Sequence, residues 1–140
     1  MFELTYQQWA LIADLYTPVL IISSVFLLIS ASPQLRICCV KAQLFCIALV
    51  YGSMMMDEWL SIWPSFSADY STHTAIALVF VVHITLKGPR LGQVIAVISL
   101  LAYMQLMHHQ GYHTYLDMIS TLIYLLPMLL VTWSAFRKAD

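Results

Sequence analysis

The chain has 140 residues, of which 61% are hydrophobic and 9% are charged, and its formal net charge is −1. This composition excludes a soluble globular domain, whose surface carries far more charge. It also excludes a nucleic-acid-binding domain, because the sequence has no basic patch. Since no linker-like stretch divides the chain, we expect one integral membrane domain over residues 1–140.

Apolar segments follow one another along the chain, and each is long enough, or nearly so, to cross a bilayer as a helix. They lack the alternating pattern of a β-barrel, so the predicted fold is an all-α membrane bundle of about five transmembrane helices. The aromatic-rich segment 57–71 is typical of a stretch that lies at the depth of the lipid headgroups. The predicted spans are residues 15–31, 40–56, 72–86, 91–107 and 115–136.

Charged residues divide between the two sides of such a bundle. The cations all fall on the side of the C-terminus, and they are Arg36, Lys41, Lys87, Arg90, Arg137 and Lys138. The acids on or near the opposite side are Glu3, Asp14, Asp57, Glu58, Asp69 and Asp117. The positive-inside rule therefore predicts an outer N-terminus and an inner C-terminus. We expect a bacterial inner-membrane protein whose acidic side faces the periplasm.

Histidines gather on this acidic side. His73 begins the third span, and His113 returns to the same side 40 residues later, after two crossings. Asp117 lies one helical turn beyond His113, so its carboxylate can accept the ring N–H and stabilise a charged imidazole. If the fifth helix begins near His109, that residue joins the same stripe. Polar groups at this depth normally face the bundle interior or a wet cavity, which predicts a site here.

Two short motifs carry these residues: S-T-H-T at Ser71–Thr74 and H-T-Y-L-D at His113–Asp117. In both motifs, and in their separation by two crossings, the chain resembles the type 2 phosphatidic acid phosphatase superfamily, including its sphingomyelin synthase-like branch. Forms such as S-G-H-T and H-Y-x-x-D occur in that branch. The resemblance covers about residues 57–136, the C-terminal helical core.

The resemblance implies phosphoryl transfer from a lipid phosphate that enters from the membrane, with no required cofactor. His113 would attack phosphorus and form a phosphohistidine, Asp117 would orient and polarise His113, and His73 would protonate the departing oxygen. Water or an alcohol would then accept the phosphoryl group. The residues expected to help bind the substrate are Ser71, Thr72, His108 and His109, the two histidines supplying charge if they are protonated.

Two alternatives use the same cluster differently. The acidic side has no Lys or Arg, which is natural for a membrane protein or transporter that binds a metal ion such as Zn, Mn, Fe or Cu. The ligands would be His109, His113, Asp117 and Asp69, with His73 nearby. The other alternative is a non-catalytic subunit that contacts protein partners in a larger membrane complex.

One further histidine, His83, lies ten residues into the third span. A haem site would need a second axial histidine at that depth, and no other span has one. We therefore expect His83 to hydrogen-bond a backbone carbonyl or a hydroxyl such as that of Ser99.

Overall fold

The computed structural model describes residues 4–138, without the side chain of Lys138. This part of the chain is helical and contains no strand, which confirms the predicted all-α bundle. Glu3, which is part of the charge-sorting prediction, lies outside the described residues. The helices are α1 (Tyr6–Ser30), α2 (Pro33–Leu60), α3 (Thr72–Lys87), α4 (Arg90–His109) and α5 (Tyr115–Lys138), with a 3₁₀ turn at Pro64–Phe66.

Four of these helices, α1, α2, α4 and α5, are long and apolar enough to cross a membrane. The protein is therefore a membrane protein. Helix α3 has only 16 residues, about 24 Å at 1.5 Å per residue, against a hydrocarbon core of about 30 Å. It packs against all four other helices, and most of its residues are buried. The short predicted third span is thus the centre of the bundle, surrounded by protein.

The helices extend beyond the apolar windows that predict them, because capping groups set their ends. Helix α1 begins after Thr5, whose hydroxyl and backbone N–H form a capping box with Gln8. Helix α2 begins at Pro33, after the N-cap Ser32, and ends where Ser61 adopts a left-handed conformation. The first residues of the predicted interfacial segment are therefore the last turn of α2.

Short connections give the bundle two chemically different ends. Residues 31–32 join α1 to α2, and residues 88–89 join α3 to α4, so both pairs are antiparallel hairpins. A Cβ atom at Gly88 would lie 2.5 Å from the Ile84 carbonyl oxygen, which explains the glycine at this tight turn. We call this end, with its Lys and Arg residues, the cationic end. The acidic end carries residues 61–71 and 110–114.

The segment 57–71, predicted to lie at headgroup depth, is folded onto the bundle, and part of its aromatic set packs against protein. Trp63 and Tyr70 are buried. The Trp63 indole N–H donates to Ser120 on α5 at 2.9 Å, and its ring meets the Tyr124 ring edge-on. These partners explain why the indole faces protein. The aromatic side chains of the segment that stay exposed are Trp59 and Phe66.

A buried polar network near the cationic end joins three helices. His83 Nδ1 lies 2.6 Å from the Ser24 hydroxyl, which also accepts a bond from the Gln43 amide at 2.9 Å. His83 therefore bonds a hydroxyl group, as predicted. Ser99 is the wrong residue, because its hydroxyl bonds that of Tyr16 instead.

The central position of α3 makes its small residues sensitive to added volume. Ala77 is fully buried, so Ala77→Leu should lower the free energy of unfolding by about 1–3 kcal/mol through overpacking. Ala102→Leu, on the exposed side of α4, is the matched control and should change it little. Thermal unfolding in detergent measures both variants. Equal losses would contradict a central α3.

Candidate functional site

The first motif begins helix α3. Ser71 is the N-cap: its hydroxyl accepts the Thr74 backbone N–H at 3.3 Å and lies 2.8 Å from the Thr74 hydroxyl. Both side chains are fully buried, whereas His73, in the first turn, is exposed. The serine predicted to bind substrate therefore has a clear structural task, and it fixes the turn that presents His73.

The second motif begins helix α5. Thr114 and Asp117 form a reciprocal cap, in which the Asp117 N–H donates to the threonine hydroxyl at 3.2 Å and the Thr114 N–H donates to Asp117 Oδ2 at 2.7 Å. Helix α4 ends at His109, and the backbone turns at Gly111 with a φ of 73°. Because residues 110–114 are not helical, the stripe that would include His109 does not form.

The Asp117 carboxylate also ties the two motifs together. Its Oδ1 accepts the backbone N–H of Asp69 at 2.9 Å, so both of its oxygens are bonded to backbone donors. One turn further along α5, the Thr121 hydroxyl accepts the Ser71 N–H at 3.1 Å. The start of α5 therefore holds the chain that leads into α3.

This arrangement brings the predicted catalytic residues together. The His73 and His113 rings lie with their centroids 6.1 Å apart and their planes tilted by 55°. His113 Nδ1 is 3.7 Å from Asp117 Oδ2, which is longer than a hydrogen bond. This nitrogen is buried and has no hydrogen-bond partner within residues 4–138. The Asp117–His113 interaction is thus electrostatic.

Burial sets the charge state of His113. Desolvation lowers the pKa of His113 below its ordinary value, and the carboxylates of Asp69 and Asp117 oppose this by raising it. The nearby His73 lowers the pKa further. The net effect is a lowered pKa, so the His113 imidazole is neutral at pH 7 and its unprotonated nitrogen can act as a nucleophile or a base.

Two predicted site residues lie elsewhere. The His108 ring stacks on Tyr115 with centroids 4.0 Å apart, and the His109 ring meets Trp9 edge-on at 6.3 Å. Both side chains are exposed, and neither joins the His73–His113 pair. Their positions follow from α4, of which they are the last two residues.

The alternative metal set is not assembled in the described part of the chain. Within it, no group of three or more His, Cys, Asp or Glu side chains is placed to hold a metal ion. His109 packs on Trp9 instead, and both Asp117 oxygens accept backbone N–H groups. These contacts explain why the predicted metal ligands His109, His113, Asp117 and Asp69 do not come together.

A polar cleft of about 300 Å³ opens beside His73 and Thr72. Four helices contribute to its walls, and its other polar lining residues are Asp14, Thr17, Tyr51 and Tyr103. The sequence-based prediction missed these residues as part of a site, because they come from three further helices. One signal was available: Asp14 is an acid within an apolar helix, and such residues normally face a cavity.

None of the known protein families, curated proteins or solved structures compared with this chain matches it. What the site can do follows from its own geometry. The neutral imidazole of His113 lies beside the exposed one of His73, two carboxylates are close to His113, and a polar cleft adjoins His73. Such a group can transfer protons, and it can attack an electrophile.

The structural role of Asp117 can be tested without an activity assay. Asp117→Asn replaces one acceptor oxygen with an NH₂ that faces a backbone donor, so the free energy of unfolding should fall by about 1–3 kcal/mol. Asp69→Asn is the control, because the exposed Asp69 contributes its backbone N–H to this contact. Chemical unfolding in detergent measures both. Equal stabilities would show that the carboxylate does not hold the two segments together.

Proposed function

We propose that the protein is a membrane-embedded phosphatase or phosphotransferase that acts on a lipid phosphate, as the resemblance to the type 2 phosphatidic acid phosphatase superfamily implies. The observation that carries the proposal is the 6.1 Å separation of the His73 and His113 ring centroids. In this proposal the acidic end faces the periplasm of a bacterial inner membrane, and the substrate enters from the lipid at headgroup depth.

The separation suits a phosphoryl group held between the two rings. A nucleophilic nitrogen attacks from about 3–3.5 Å. A general acid donates to the leaving oxygen across about 2.6–3.2 Å. Together with the bond between phosphorus and the leaving oxygen, these distances form a path of roughly 7–8 Å between the reacting nitrogens, and the path bends at the leaving oxygen. Centroids 6.1 Å apart are compatible with this span, because the ring nitrogens lie away from the centroids.

In the first step, the lone pair of the unprotonated His113 nitrogen attacks phosphorus. The bond from phosphorus to the lipid oxygen breaks, and protonated His73 gives its proton to that oxygen, which leaves as an alcohol. The product is a phosphohistidine on His113, and His73 is left neutral. The lowered pKa of His113 favours this step, because only the neutral ring is nucleophilic.

In the second step, neutral His73 removes a proton from water, or from an alcohol in a transferase. The resulting oxygen attacks phosphorus, the nitrogen–phosphorus bond breaks, and the electron pair returns to His113. His73 is then protonated again and the site is restored. One residue thus serves first as acid and then as base.

Asp117 contributes through charge. Attack on phosphorus makes the His113 ring cationic, and the carboxylate 3.7 Å from its Nδ1 stabilises that charge. Two backbone N–H bonds hold the carboxylate in place, so it need not reorganise during the reaction. The hydroxyls of Thr72 and Tyr51, which line the adjoining cleft, are available to donate to phosphate oxygens.

A second candidate function is a non-catalytic subunit of a membrane complex. The observation that favours it is the bonding of both Asp117 oxygens to backbone, together with the lack of Lys and Arg in the segments of the acidic end. A phosphoryl transition state usually has cationic partners. Activity measurements separate the two candidates.

The proposed nucleophile can be tested with a matched histidine. His113→Ala should lower phosphate release from phosphatidic acid or a polyprenyl phosphate by at least about 10²-fold, because attack on phosphorus is lost. His109→Ala is the control, since that ring packs on Trp9 at the same end. Its rate should stay within about twofold of wild type. Equal rates in all three proteins would remove the enzyme proposal and leave the non-catalytic one.

The lowered pKa of His113 predicts how kcat/KM depends on pH in the acidic range. Protonation removes the nucleophile, so kcat/KM should fall as the pH drops through the pKa of His113. Because that pKa lies below its ordinary value, the fall should be centred below about pH 6.5. A profile recorded with a soluble short-chain lipid phosphate measures it. An acidic limb centred above pH 7 would contradict the assignment of His113.

A further inference from the structure

A second cleft, of about 320 Å³, lies at the cationic end, between the last turns of α3 and α5. We call it the basic cleft. Its lining residues are Leu86, Lys87, Leu130, Trp133, Ser134 and Arg137. It therefore combines two cations, a hydroxyl and an indole with an apolar wall. None of these residues belongs to the proposed catalytic site at the other end of the bundle.

The two cations of the basic cleft are available to a ligand. The Lys87 and Arg137 side chains are exposed, and within residues 4–138 no carboxylate lies within ion-pair distance of either. Arg36, at the same end, is engaged differently, because its guanidinium donates to backbone carbonyls at the end of α1. Among the described residues, therefore, no ion pair neutralises the positive charge of the cleft.

Trp133 gives the cleft an unused hydrogen-bond donor. Its side chain is only 5% exposed, and its Nε1 has no hydrogen-bond partner within the described residues. Buried donors are nearly always paired, so an orphan beside a cleft points to a missing acceptor. The ring is fixed in place, since it stacks on His83 at 5.3 Å with an interplanar angle of 8°, and Ser24 bonds that histidine.

We propose that the basic cleft binds the phosphodiester headgroup of an anionic phospholipid from the leaflet at the cationic end. Lys87 and Arg137 neutralise the phosphate, and the Ser134 hydroxyl and the Trp133 N–H donate to its oxygens. The apolar wall selects a lipid over free phosphate. Leu86 and Leu130 are 45% and 41% exposed, which leaves their side chains free to contact acyl chains below the headgroup.

The positive-inside rule supports the same occupant. It places the cationic end at the cytoplasmic leaflet, where anionic lipids attract basic segments. The long Lys87 and Arg137 side chains can extend toward the headgroups, so a lipid of that leaflet reaches the cleft without leaving the bilayer. This inference is independent of the proposed phosphatase activity, which concerns the opposite end.

Lipid binding to the full chain in mild detergent tests the proposal by native mass spectrometry. The three probes are dioleoyl phosphatidylglycerol, dioleoyl phosphatidylcholine and inorganic phosphate. Lys87→Gln with Arg137→Gln removes both cleft cations. The control pair, Lys41→Gln with Arg90→Gln, removes the same charge from exposed positions of the same end outside the cleft. Trp133→Phe removes the orphan donor and keeps an aromatic ring against His83.

We expect wild type to bind phosphatidylglycerol at least about tenfold more tightly than phosphatidylcholine, and to bind inorganic phosphate far more weakly. The cleft pair should lose about tenfold or more of the phosphatidylglycerol affinity, and the control pair less than about twofold. Trp133→Phe should lose about threefold or more. Equal losses in both pairs would mean diffuse attraction to the cationic end and overturn the proposal. So would equal affinity for the two lipids, or phosphate binding as tightly as phosphatidylglycerol.

Discussion

The acidic end depends on one carboxylate that is bonded twice to backbone. Asp117 accepts the N–H of Asp69, just before α3, and the N–H of Thr114, just before α5. Hydrogen bonds to an ionised acceptor are roughly twice as strong as neutral ones, and these two lie in a partly buried setting. They hold together segments that are separated by two helices in the chain. The meeting of His73 with His113 is a consequence of this junction.

Hydrophobic segments predict the order and number of the helices, but not their ends. Each span needs only apolar length, which is visible in the sequence. The ends depend on single capping groups such as Thr5, Ser32 and Ser61, and these act outside the apolar windows. The buried position of α3 was signalled by its short length. The burial of Trp63 was not signalled, because its partner Ser120 lies on a helix far along the chain.

The part of the candidate site that depends only on the order of the helices could be predicted from the sequence. Two crossings return His113 to the side of His73, whatever the details of packing. His108 and His109 belong to the same side, yet they are the last residues of α4 and pack on Tyr115 and Trp9. The neighbours of these two side chains depend on how the helices pack, which residue spacing does not determine.

Helix α3 links the chemistry of the two ends. Its first turn carries His73 and its last residue is Lys87, so about 21 Å of helix separates the proposed catalytic site from the basic cleft. Each end is anchored by polar bonds: the Asp117 junction holds the chain entering α3, and the Ser24 hydroxyl holds His83 one turn before Lys87. Close packing between these anchors prevents the helix from sliding or rotating. The register of this one helix therefore positions both the histidine that faces His113 and the lysine that lines the basic cleft.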